Sequence, residues 1–585
     1  MTDRASMTGE RGESGVDLST TFDFAQWRRR LAVAQRAEPA DLIIRGGQIA
    51  NVFSGELIRA DIAIVDGMIA GVGEYSDGRE EIDAAGTVVA PSFIDGHVHL
   101  ESSLVWVTEW AKAVVPHGTG AVVTDPHEFA NVGGLPAIAA LRQAVRGLPV
   151  DVRFTAPSCV PASHQESPGA SFGVDEITEM LSWPETVALG ELMDFPGVVA
   201  GNEEIGAKLA AARASLRDGH APHVRGGALQ AYIGSGIGSD HESTTLAEAR
   251  EKLRFGLMVM IREGSSEHNL RDLLPLVTDD TYPRCCFASD DRDCHDLLHR
   301  GHMDATIRLA IAEGLDPVRA IRLATWNPAN HWRLEGLGAI APGYRANIVL
   351  LDNLGDAHVA ATMHNGNIVA ENGNYLASES GKATTPRSML HSVNMAPVML
   401  SHLRLKPENA SVAVGVLPGQ IVTNLVNVEP VIKQGYAVAD PARNLLKLVC
   451  VERHKATGRV GVGYVTGFGL KSGALASTIA HDAHNIIAIG ADDPDILQAI
   501  AVVAESDGGL AAVANGKVLG LLPLPIAGLL SDQPLAAVAS SYAALEQTAR
   551  DLGSDLPSPF GLLAFLALSV IPEARVTDRG FIHVG

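Results

Sequence analysis

The chain has 585 residues, which is too many for one hydrophobic core and predicts two to four domains. Hydrophobic residues make up 46% and charged residues 19% of the chain, as expected of a folded globular protein. A net charge of −23 repels phosphate backbones, which argues against nucleic acid as a partner and favours a neutral small molecule, although acidity also serves solubility alone.

The N-terminal segment is polar. Residues 1 to about 21 contain no signal-peptide hydrophobic stretch and are expected to be mobile, and a helix is predicted over 24–36 within an N-terminal extension of residues 1–40. The longest apolar stretches of the whole chain are too short to cross a bilayer. The five cysteines form no CxxC pair, which argues against disulfides. We therefore expect a cytoplasmic protein with no membrane partner.

Short strands are predicted on both sides of a long central region. Residues 41–90 alternate apolar runs with glycine turns, as in Ile62–Gly67, and a similar pattern returns after residue 331, as in Ala346–Asp352. Residues 41–90 and 331–395 together predict one small β domain that is built from the two ends of an inserted domain.

The central residues 91–330 alternate short apolar runs with helical stretches. Eight predicted strands, about 20 to 40 residues apart, indicate an α/β fold of the (β/α)8 TIM-like barrel type, in which the chemistry lies at the carboxyl ends of the strands. The predicted strands end near His99, Asp125, Pro157, Glu191, His220, His241, Glu263 and Asp290. Beyond the second β segment, residues 400–585 predict a separate C-terminal α+β domain, whose helices begin at prolines.

Two histidines at the end of the first barrel strand suggest a metal site. His97 and His99 are two residues apart, and side-chain alternation places both imidazoles on one face of the strand. With the later strand ends they give four imidazoles and two carboxylates, enough for two divalent metals if one carboxylate bridges them. Ligands without thiolate favour Mn, Fe or Zn and do not select among them. The expected metal ligands are His97, His99, Glu191, His220, His241 and Asp290.

Glu191 is the expected bridge. His97 and His99 would share the first metal with Glu191 and Asp290, which leaves His220 and His241 for the second. Structural alternatives exist for three of the six residues. His220 also suits a capping or loop residue. Either carboxylate beside His241 in the segment Ser239–Glu242 offers another ligand, and Asp290 also suits a buried ion pair.

Longer motifs identify a family. The segments Pro91–Ser103 (with HVHLESS), Gly190–Val198 (GELMDFPGV), Ser239–Glu242 and Ile479–Asn485 resemble the adenine deaminase family of the amidohydrolase superfamily. Many binuclear relatives that cleave cyclic amides bridge their metals with a carboxylated lysine, whereas Glu191 stands at the matching position here, as in adenine deaminases. The resemblance implies hydrolysis of adenine to hypoxanthine and ammonia by a binuclear centre, with Mn²⁺ first and Fe²⁺ or Zn²⁺ as alternatives, in a homodimer.

The implied reaction assigns roles to further residues. A hydroxide attacks C6 of adenine while Asp290 acts as general base and then as acid, and Glu101 and His241 are further candidate catalytic residues. The candidate substrate contacts are Glu101, Asp125, His127, Glu128 and Arg262.

Each of these polar residues also has a structural alternative. Glu101 suits a hydrogen bond to a metal ligand, residues 125–128 suit loop structure, and Arg262 suits an ion pair with Glu263. His481 and His484 either reach over the barrel mouth or, as the sequence favours, serve surface or interdomain packing.

Two other functions compete with adenine deamination. A different amidohydrolase, acting on another aminopurine or on a cyclic amide, would keep the barrel and its ligands and change only the substrate. A non-catalytic metal-binding scaffold is disfavoured, because every expected ligand position is filled.

Overall fold

The structure, a computed structural model, describes residues 23–377, 385–418 and 420–584. The expected mobility of residues 1–21 concerns residues outside these ranges. The described chain begins with α1 (Phe24–Ala34), where the Asp23 carboxylate accepts the backbone N–H groups of Ala25 and Gln26 and so caps the helix. Within the three described ranges, no helix combines the length and apolar content that a membrane span requires.

Seven short strands precede the barrel. They are β1 (Ala40–Arg45), β2 (Gln48–Ala50), β3 (Leu57–Arg59), β4 (Asp61–Val65), β5 (Met68–Gly73), β6 (Gly78–Asp83) and β7 (Val88–Pro91). Strands β5, β4, β1 and β6 form one sheet in that order, whereas β2, β3 and β7 join strands from the far side of the barrel.

Parallel strands with helices between them occupy the centre of the chain. The strands are β8 (Phe93–His99), β9 (Thr119–Thr124), β10 (Asp151–Ala156), β11 (Thr186–Leu192), β12 (Leu216–Gly219), β13 (Ser239–Asp240), β14 (Met258–Arg262), β15 (Cys285–Ala288) and β16 (Asp290–Asp291). The helices are α2 (Val107–Val114), α3 (His127–Ala144), α4 (Val174–Leu181), α5 (Phe195–Ala200), α6 (Glu203–Ala211), α7 (Gly226–Gly234), α8 (Leu246–Arg254), α9 (Leu270–Leu273), α10 (Cys294–His299), α11 (Met303–Ala312), α12 (Pro317–Leu323) and α13 (Trp326–His331).

These strands form a barrel-like ring. One sheet has the order β12-β11-β10-β9-β8-β16 and a second has the order β13-β14-β15. Strand β15 leads into β16 across Ser289, and Asp290 of β16 pairs with Val98 of β8. Between β12 and β13 the backbone N–H of Gly238 donates to the carbonyl of Arg217 at 2.9 Å. The predicted TIM-barrel-like α/β fold is therefore confirmed, although the ring consists of two sheets rather than one continuous ladder.

The interior of the barrel is apolar below the strand ends. Residues that alternate along the strands, among them Met258, Met260, Cys286 and Ala288, pack in one buried cluster with Trp332. Further along the same strands, at their carboxyl ends, the inward-facing residues lie at the polar mouth of the barrel, together with the candidate ligands.

Strands from both sides of the barrel share a seven-stranded sheet. After the barrel come β17 (Ile348–Leu351), β18 (Val359–His364), β19 (Asn367–Glu371) and β20 (Asn374–Tyr375). The sheet order is β20-β19-β18-β17-β7-β2-β3, with Ile348 opposite Pro91 in an antiparallel ladder. The barrel is thus inserted between strands that pair with each other.

The C-terminal part is a second α/β layer structure. Its strands are β21 (Val412–Val416), β22 (Thr423–Asn427), β23 (Val431–Lys433), β24 (Tyr436–Val438), β25 (Leu445–Val451), β26 (Val460–Thr466), β27 (Ala474–Ser477), β28 (Ile486–Gly490), β29 (Gly509–Ala514), β30 (Lys517–Pro523), β31 (Glu573–Thr577) and β32 (Gly580–Val584). Its helices are α14 (Asp493–Glu505), α15 (Leu535–Asp551) and α16 (Pro559–Phe565). Eight of these strands form a mixed sheet of order β22-β21-β26-β25-β28-β27-β29-β30. The connection 478–485, between β27 and β28, faces the mouth of the barrel.

Candidate metal centre

The six sequence-predicted ligands converge at the carboxyl ends of the barrel strands. His97 and His99 come from β8 with their Nε2 atoms 3.2 Å apart, as the alternation argument expects. Glu191 lies near the end of β11, and His220 and His241 directly follow β12 and β13. Asp290 begins β16. Groups of these residues bring their donor atoms within 4.8 Å of one another, the spacing that one cation can span.

The carboxylate of Glu191 lies between two sets of imidazoles. Its Oε1 atom is 3.5 Å from Nε2 of His99, while its Oε2 atom is 2.8 Å from Nδ1 of His220 and 3.2 Å from Nε2 of His241. One oxygen therefore faces the first strand and the other faces the fifth and sixth. A carboxylate in this position has the geometry needed to bridge two cations.

Asp290 faces the histidines of β8 and is held from behind by Arg262. Its Oδ1 atom is 3.2 Å from Nε2 of His99, and its Oδ2 atom accepts from Arg262 Nη1 at 2.7 Å. Burial alone would raise the pKa of Asp290, but the positive charge of the neighbouring Arg262 guanidinium holds that pKa well below its usual value. The backbone φ of Asp290 is +58°, and the adjoining Ser289 is fixed by its N–H donating to Asp95 at 3.0 Å.

Hydrogen bonds on the far side of each imidazole orient the β8 histidines. His97 Nδ1 donates to Asp218 Oδ2 at 3.0 Å, and His99 Nδ1 donates to the carbonyl of Asp125 at 2.9 Å. Each bond places the proton on Nδ1 and leaves the Nε2 lone pair facing the centre. Ser239 Oγ donates to the other oxygen of Asp218 at 2.6 Å. The sequence analysis missed Asp218, although it lies two residues before His220 and so faces the same side of β12.

One structural alternative drawn from the sequence at this site is wrong, because Arg262 does not pair with Glu263. Its guanidinium donates to Asp290 and to Glu242, whereas the Glu263 carboxylate lies 2.8 Å from Nδ1 of His268. Strand alternation explains the difference, because residue 262 points into the barrel and residue 263 points out of it.

Asp125 bonds to the backbone of the neighbouring strand, and its role as a substrate contact stays a prediction. Its Oδ2 atom accepts the backbone N–H of Glu191 at 2.9 Å, and its Oδ1 atom lies 3.5 Å from His127 Nδ1. Asp125 thus fixes the strand that carries Glu191, which is the structural alternative. His127 does border the inner cavity, with Nδ1 3.2 Å from Glu191 Oε1.

Two neighbouring cavities that share part of their lining lie at the candidate metal centre. The inner one has a volume of about 50 Å³ and is bordered by His99, Glu191, His220, His241 and Asp290. The outer one has a volume of about 430 Å³ and extends between the barrel mouth and the C-terminal domain. Both are bordered by Glu128, Glu267, Asp291, Ile421, His481 and Phe565.

Glu101 borders the outer cavity. Its Oε1 atom accepts the backbone N–H of Phe129 at 3.2 Å, so this oxygen bonds to backbone rather than to a candidate metal ligand. Its Oε2 atom is buried and has no hydrogen-bond partner within the described ranges. Burial and the neighbouring charge of Glu128 raise the pKa of Glu101 to about 8.

The C-terminal domain supplies polar groups to the same mouth. His481 is buried with Nδ1 2.9 Å from Glu128 Oε1, and Asp482 Oδ1 is 3.9 Å from His127 Nε2. His484 is fully buried, with Nε2 3.7 Å from Glu128 Oε2. His481 therefore lies at the barrel mouth, the alternative that the sequence disfavoured, and its contact with Glu128 also joins the C-terminal domain to the barrel. The signal was already in the sequence, as a histidine pair inside the family-like segment 479–485.

Comparisons with known proteins agree with these features. Residues 88–370 match the model of the amidohydrolase family, and residues 420–585 match that of the adenine deaminase C-terminal domain. An adenine deaminase of Dehalococcoides mccartyi is 45% identical over 95% of this chain and 97% of its own length. Adenine deaminase 2 of Carboxydothermus hydrogenoformans is 44% identical over 94% and 97%. A β-aspartyl dipeptidase structure from Fervidobacterium islandicum AW-1 is 14% identical with a TM-score of 0.45, covering 59% of this chain and 100% of that chain. The chain therefore belongs to the adenine deaminase family of amidohydrolases.

Proposed function

We propose that this protein is a metal-dependent adenine aminohydrolase, which converts adenine and water into hypoxanthine and ammonia. The observation that carries the proposal is the position of the Glu191 carboxylate, one oxygen facing His99 and the other facing His220 and His241. This arrangement suits the hydrolysis of a C–N bond at a binuclear centre. The full-length similarity to proteins named adenine deaminases supplies the substrate.

The donor set fits two divalent cations. Both ring nitrogens of buried His241 lack a hydrogen-bond partner in the part of the chain that the structure describes, so a cation at Nε2 would satisfy an atom that is otherwise unpaired. In the proposed assignment, His97, His99 and Asp290 would hold one ion, His220 and His241 would hold the other, and Glu191 would contact both. The all-nitrogen-and-oxygen set suits Mn²⁺, Fe²⁺ and Zn²⁺ alike, and the family resemblance puts Mn²⁺ first. When bound, such ions supply an activated water for hydrolysis.

Asp290 moves the proton in the proposed reaction. Its Oδ2 atom is bound to Arg262, so Oδ1, which faces His99, serves two purposes: one lone pair would contact the ion, and the other accepts the proton of the attacking water. The low pKa of Asp290 keeps its carboxylate ionised before the reaction. The proton then passes to the purine or to the departing amine. Arg262, bound to Asp290 and Glu242, orients this base instead of contacting adenine.

The purine is held at the junction of the two cavities. Glu101, with its pKa raised to about 8, keeps its proton at neutral pH and donates a hydrogen bond to a ring nitrogen of adenine. Glu128 accepts a hydrogen bond from the other side, and His127 closes the wall beside Glu191. His241, as a metal ligand, helps to hold the reacting water in place.

The proposal extends to the organisation of the chain. Residues 41–90 with 331–395 form the small β domain, 91–330 the catalytic barrel and 400–585 the C-terminal domain, and family resemblance supports a homodimer. The five buried, unpaired cysteines support a reducing, cytoplasmic setting.

One preparation tests the function. Protein expressed with added manganese is expected to contain two metals per chain and to deplete adenine in an ultraviolet assay, with guanine, adenosine and hydantoin as comparison substrates. Asp290→Asn is expected to lower kcat by roughly 100- to 10,000-fold. Preference for another comparison substrate would indicate a different amidohydrolase activity. Two bound metals without turnover of any tested substrate would refute catalysis. Near-normal turnover by Asp290→Asn would refute the role of Asp290 as general base.

A further inference from the structure

We propose that the C-terminal domain completes the substrate site, with His481 as a positioning residue that fixes the carboxylate of Glu128 between the inner and outer cavities. This inference rests on the proposed function, because it assigns Glu128 a contact with the purine during deamination.

The sizes of the two cavities place the purine at their junction. A volume of about 50 Å³ holds about one or two water molecules, which is too little for a bicyclic base. The outer volume of about 430 Å³ lies within the range of small-molecule sites. The base must therefore occupy the outer cavity and extend its reacting edge toward the metal centre. Glu128, Asp291 and His481 border both cavities, so the base passes against them.

Two contacts within the C-terminal domain and one with the barrel fix His481. Its backbone N–H donates to the carbonyl of Ala564 at 2.9 Å, and its ring stacks on Phe565 with centroids 4.5 Å apart at 15°. The third contact is the bond from Nδ1 to Glu128 Oε1 at 2.9 Å. Because the backbone and the ring face are held within the domain, Nδ1 is aimed at Glu128 before any substrate arrives.

The neighbouring His484 strengthens this arrangement and argues against a third cation. The backbone N–H of Ala480 donates to Nδ1 of His484 at 3.2 Å. The ring proton therefore lies on Nε2, which faces Glu128 Oε2 at 3.7 Å. A cation at Nε2 would need the lone pair that this proton occupies. Glu128 thus faces one imidazole N–H on each oxygen, and the cluster orients a carboxylate rather than coordinating a metal.

Glu128 needs this support because it is buried next to another carboxyl group. It is 2% exposed, and Glu101 is its acidic neighbour. Burial alone would raise the pKa of Glu128, but the charge of His481 holds that pKa below its usual value. Without His481, a protonated or displaced Glu128 would no longer present an acceptor to the base.

Two substitutions at one position separate this role from packing. His481→Phe retains an aromatic ring to stack on Phe565 and removes the donor, whereas His481→Asn retains an N–H close to the position of Nδ1. We expect His481→Phe and Glu128→Gln each to lower kcat/KM for adenine by about 100-fold, the cost of a misplaced substrate contact. The double variant should be no worse than Glu128→Gln alone, and His481→Asn should recover activity to within about tenfold of wild type.

The matched control is His358→Phe, which removes an exposed imidazole that lies 2.6 Å from the Asp352 carboxylate and should leave kcat/KM unchanged. All variants should retain wild-type metal content by elemental analysis. Multiplying effects in the double variant, or a fully active His481→Phe, would overturn the proposal.

A crystal structure of His481→Phe tests the inference independently of turnover. Glu128 should rotate away from the junction, and an unmoved Glu128 contradicts the positioning role even if adenine is not the substrate. Failure of wild-type protein to deaminate adenine would instead refute the proposed function. If His481→Phe does not fold, the structure of His481→Asn provides the test. Glu128 should keep its wild-type position in that structure, and a displaced Glu128 would overturn the proposal.

Discussion

Replacing Asp218 by Asn should weaken metal binding, although Asp218 is not an expected ligand. The carboxylate accepts three hydrogen bonds, from His97 Nδ1 at 3.0 Å, from Ser239 Oγ at 2.6 Å and from the backbone N–H of Gly219 at 2.9 Å. Ser239 and Gly219 both donate to Oδ1, so the Asn amide oxygen will occupy that position. The amide NH2 group then faces Nδ1 of His97, donor against donor.

The conflict is relieved by moving the proton of His97 from Nδ1 to Nε2, where it blocks the lone pair that faces the metal centre. An analogous change of tautomer accounts for the large effect of Asp-to-Asn substitution in serine proteases. Loss of such an orienting partner weakens metal binding by roughly 10- to 100-fold, which corresponds to about 1.4 to 2.8 kcal/mol. We expect this loss at the ion held by His97, with the ion held by His220 and His241 less affected.

The assay is competition with a chromogenic chelator, followed by elemental analysis after dialysis. Asp495→Asn is the matched control, because Asp495 is also buried and accepts two backbone N–H groups at 2.9 Å, but within the C-terminal domain. Metal affinity in this control should equal that of wild type. Wild-type affinity for both ions in Asp218→Asn would refute the tautomer argument.

Three further substitutions test the remaining parts of the structure. Glu191→Gln should retain at most one of the two metals after dialysis, and two tightly bound metals in elemental analysis would contradict the bridge. Lys252→Met leaves the buried carboxylates of Asp240 and Glu248, now 2.7 and 2.8 Å from Nζ, without their cation, and should cost about 3 to 5 kcal/mol in chemical denaturation. Exposed Lys433→Met should stay within about 0.5 kcal/mol of wild type, and equal stability of the two variants would argue against the buried pair. Burial raises the pKa of Glu166 from 4.5 to about 8, so its protonated form contributes stability that is fully present below pH 4.5 and is lost as the pH rises through 8. Glu166→Gln should therefore lose less Tm than wild type between these pH values in thermal melts, and identical pH profiles would refute the shift.

The barrel and its six candidate ligands were predictable because the information is local. Each ligand follows an apolar strand, and the carboxyl ends of parallel strands meet at one mouth whatever the exact packing of the helices. Side-chain alternation along the same strands also predicts further residues that face the barrel mouth. Asp218 precedes His220 by two residues, and Arg262 continues the inward face of Met258 and Met260. The sequence offered Glu263 as an alternative partner of Arg262, because neighbours in sequence are easier to pair than neighbours in space.

Contacts that join distant segments required the structure. Nothing near Glu128 in the sequence indicates that His481 donates to it, since this bond depends on how the C-terminal domain sits over the barrel and on the conformation of residues 478–485. The role of His484 depends on one backbone bond from Ala480, which decides the side of the imidazole that carries the proton. Two histidines beside a glutamate can either bind a cation or orient the carboxylate by hydrogen bonds. Here the tautomer of His484 favours the second role. Each candidate metal ligand can therefore be predicted from the strand that it follows. The proposed substrate surface cannot be predicted in this way, because it forms only where the C-terminal domain packs against the barrel.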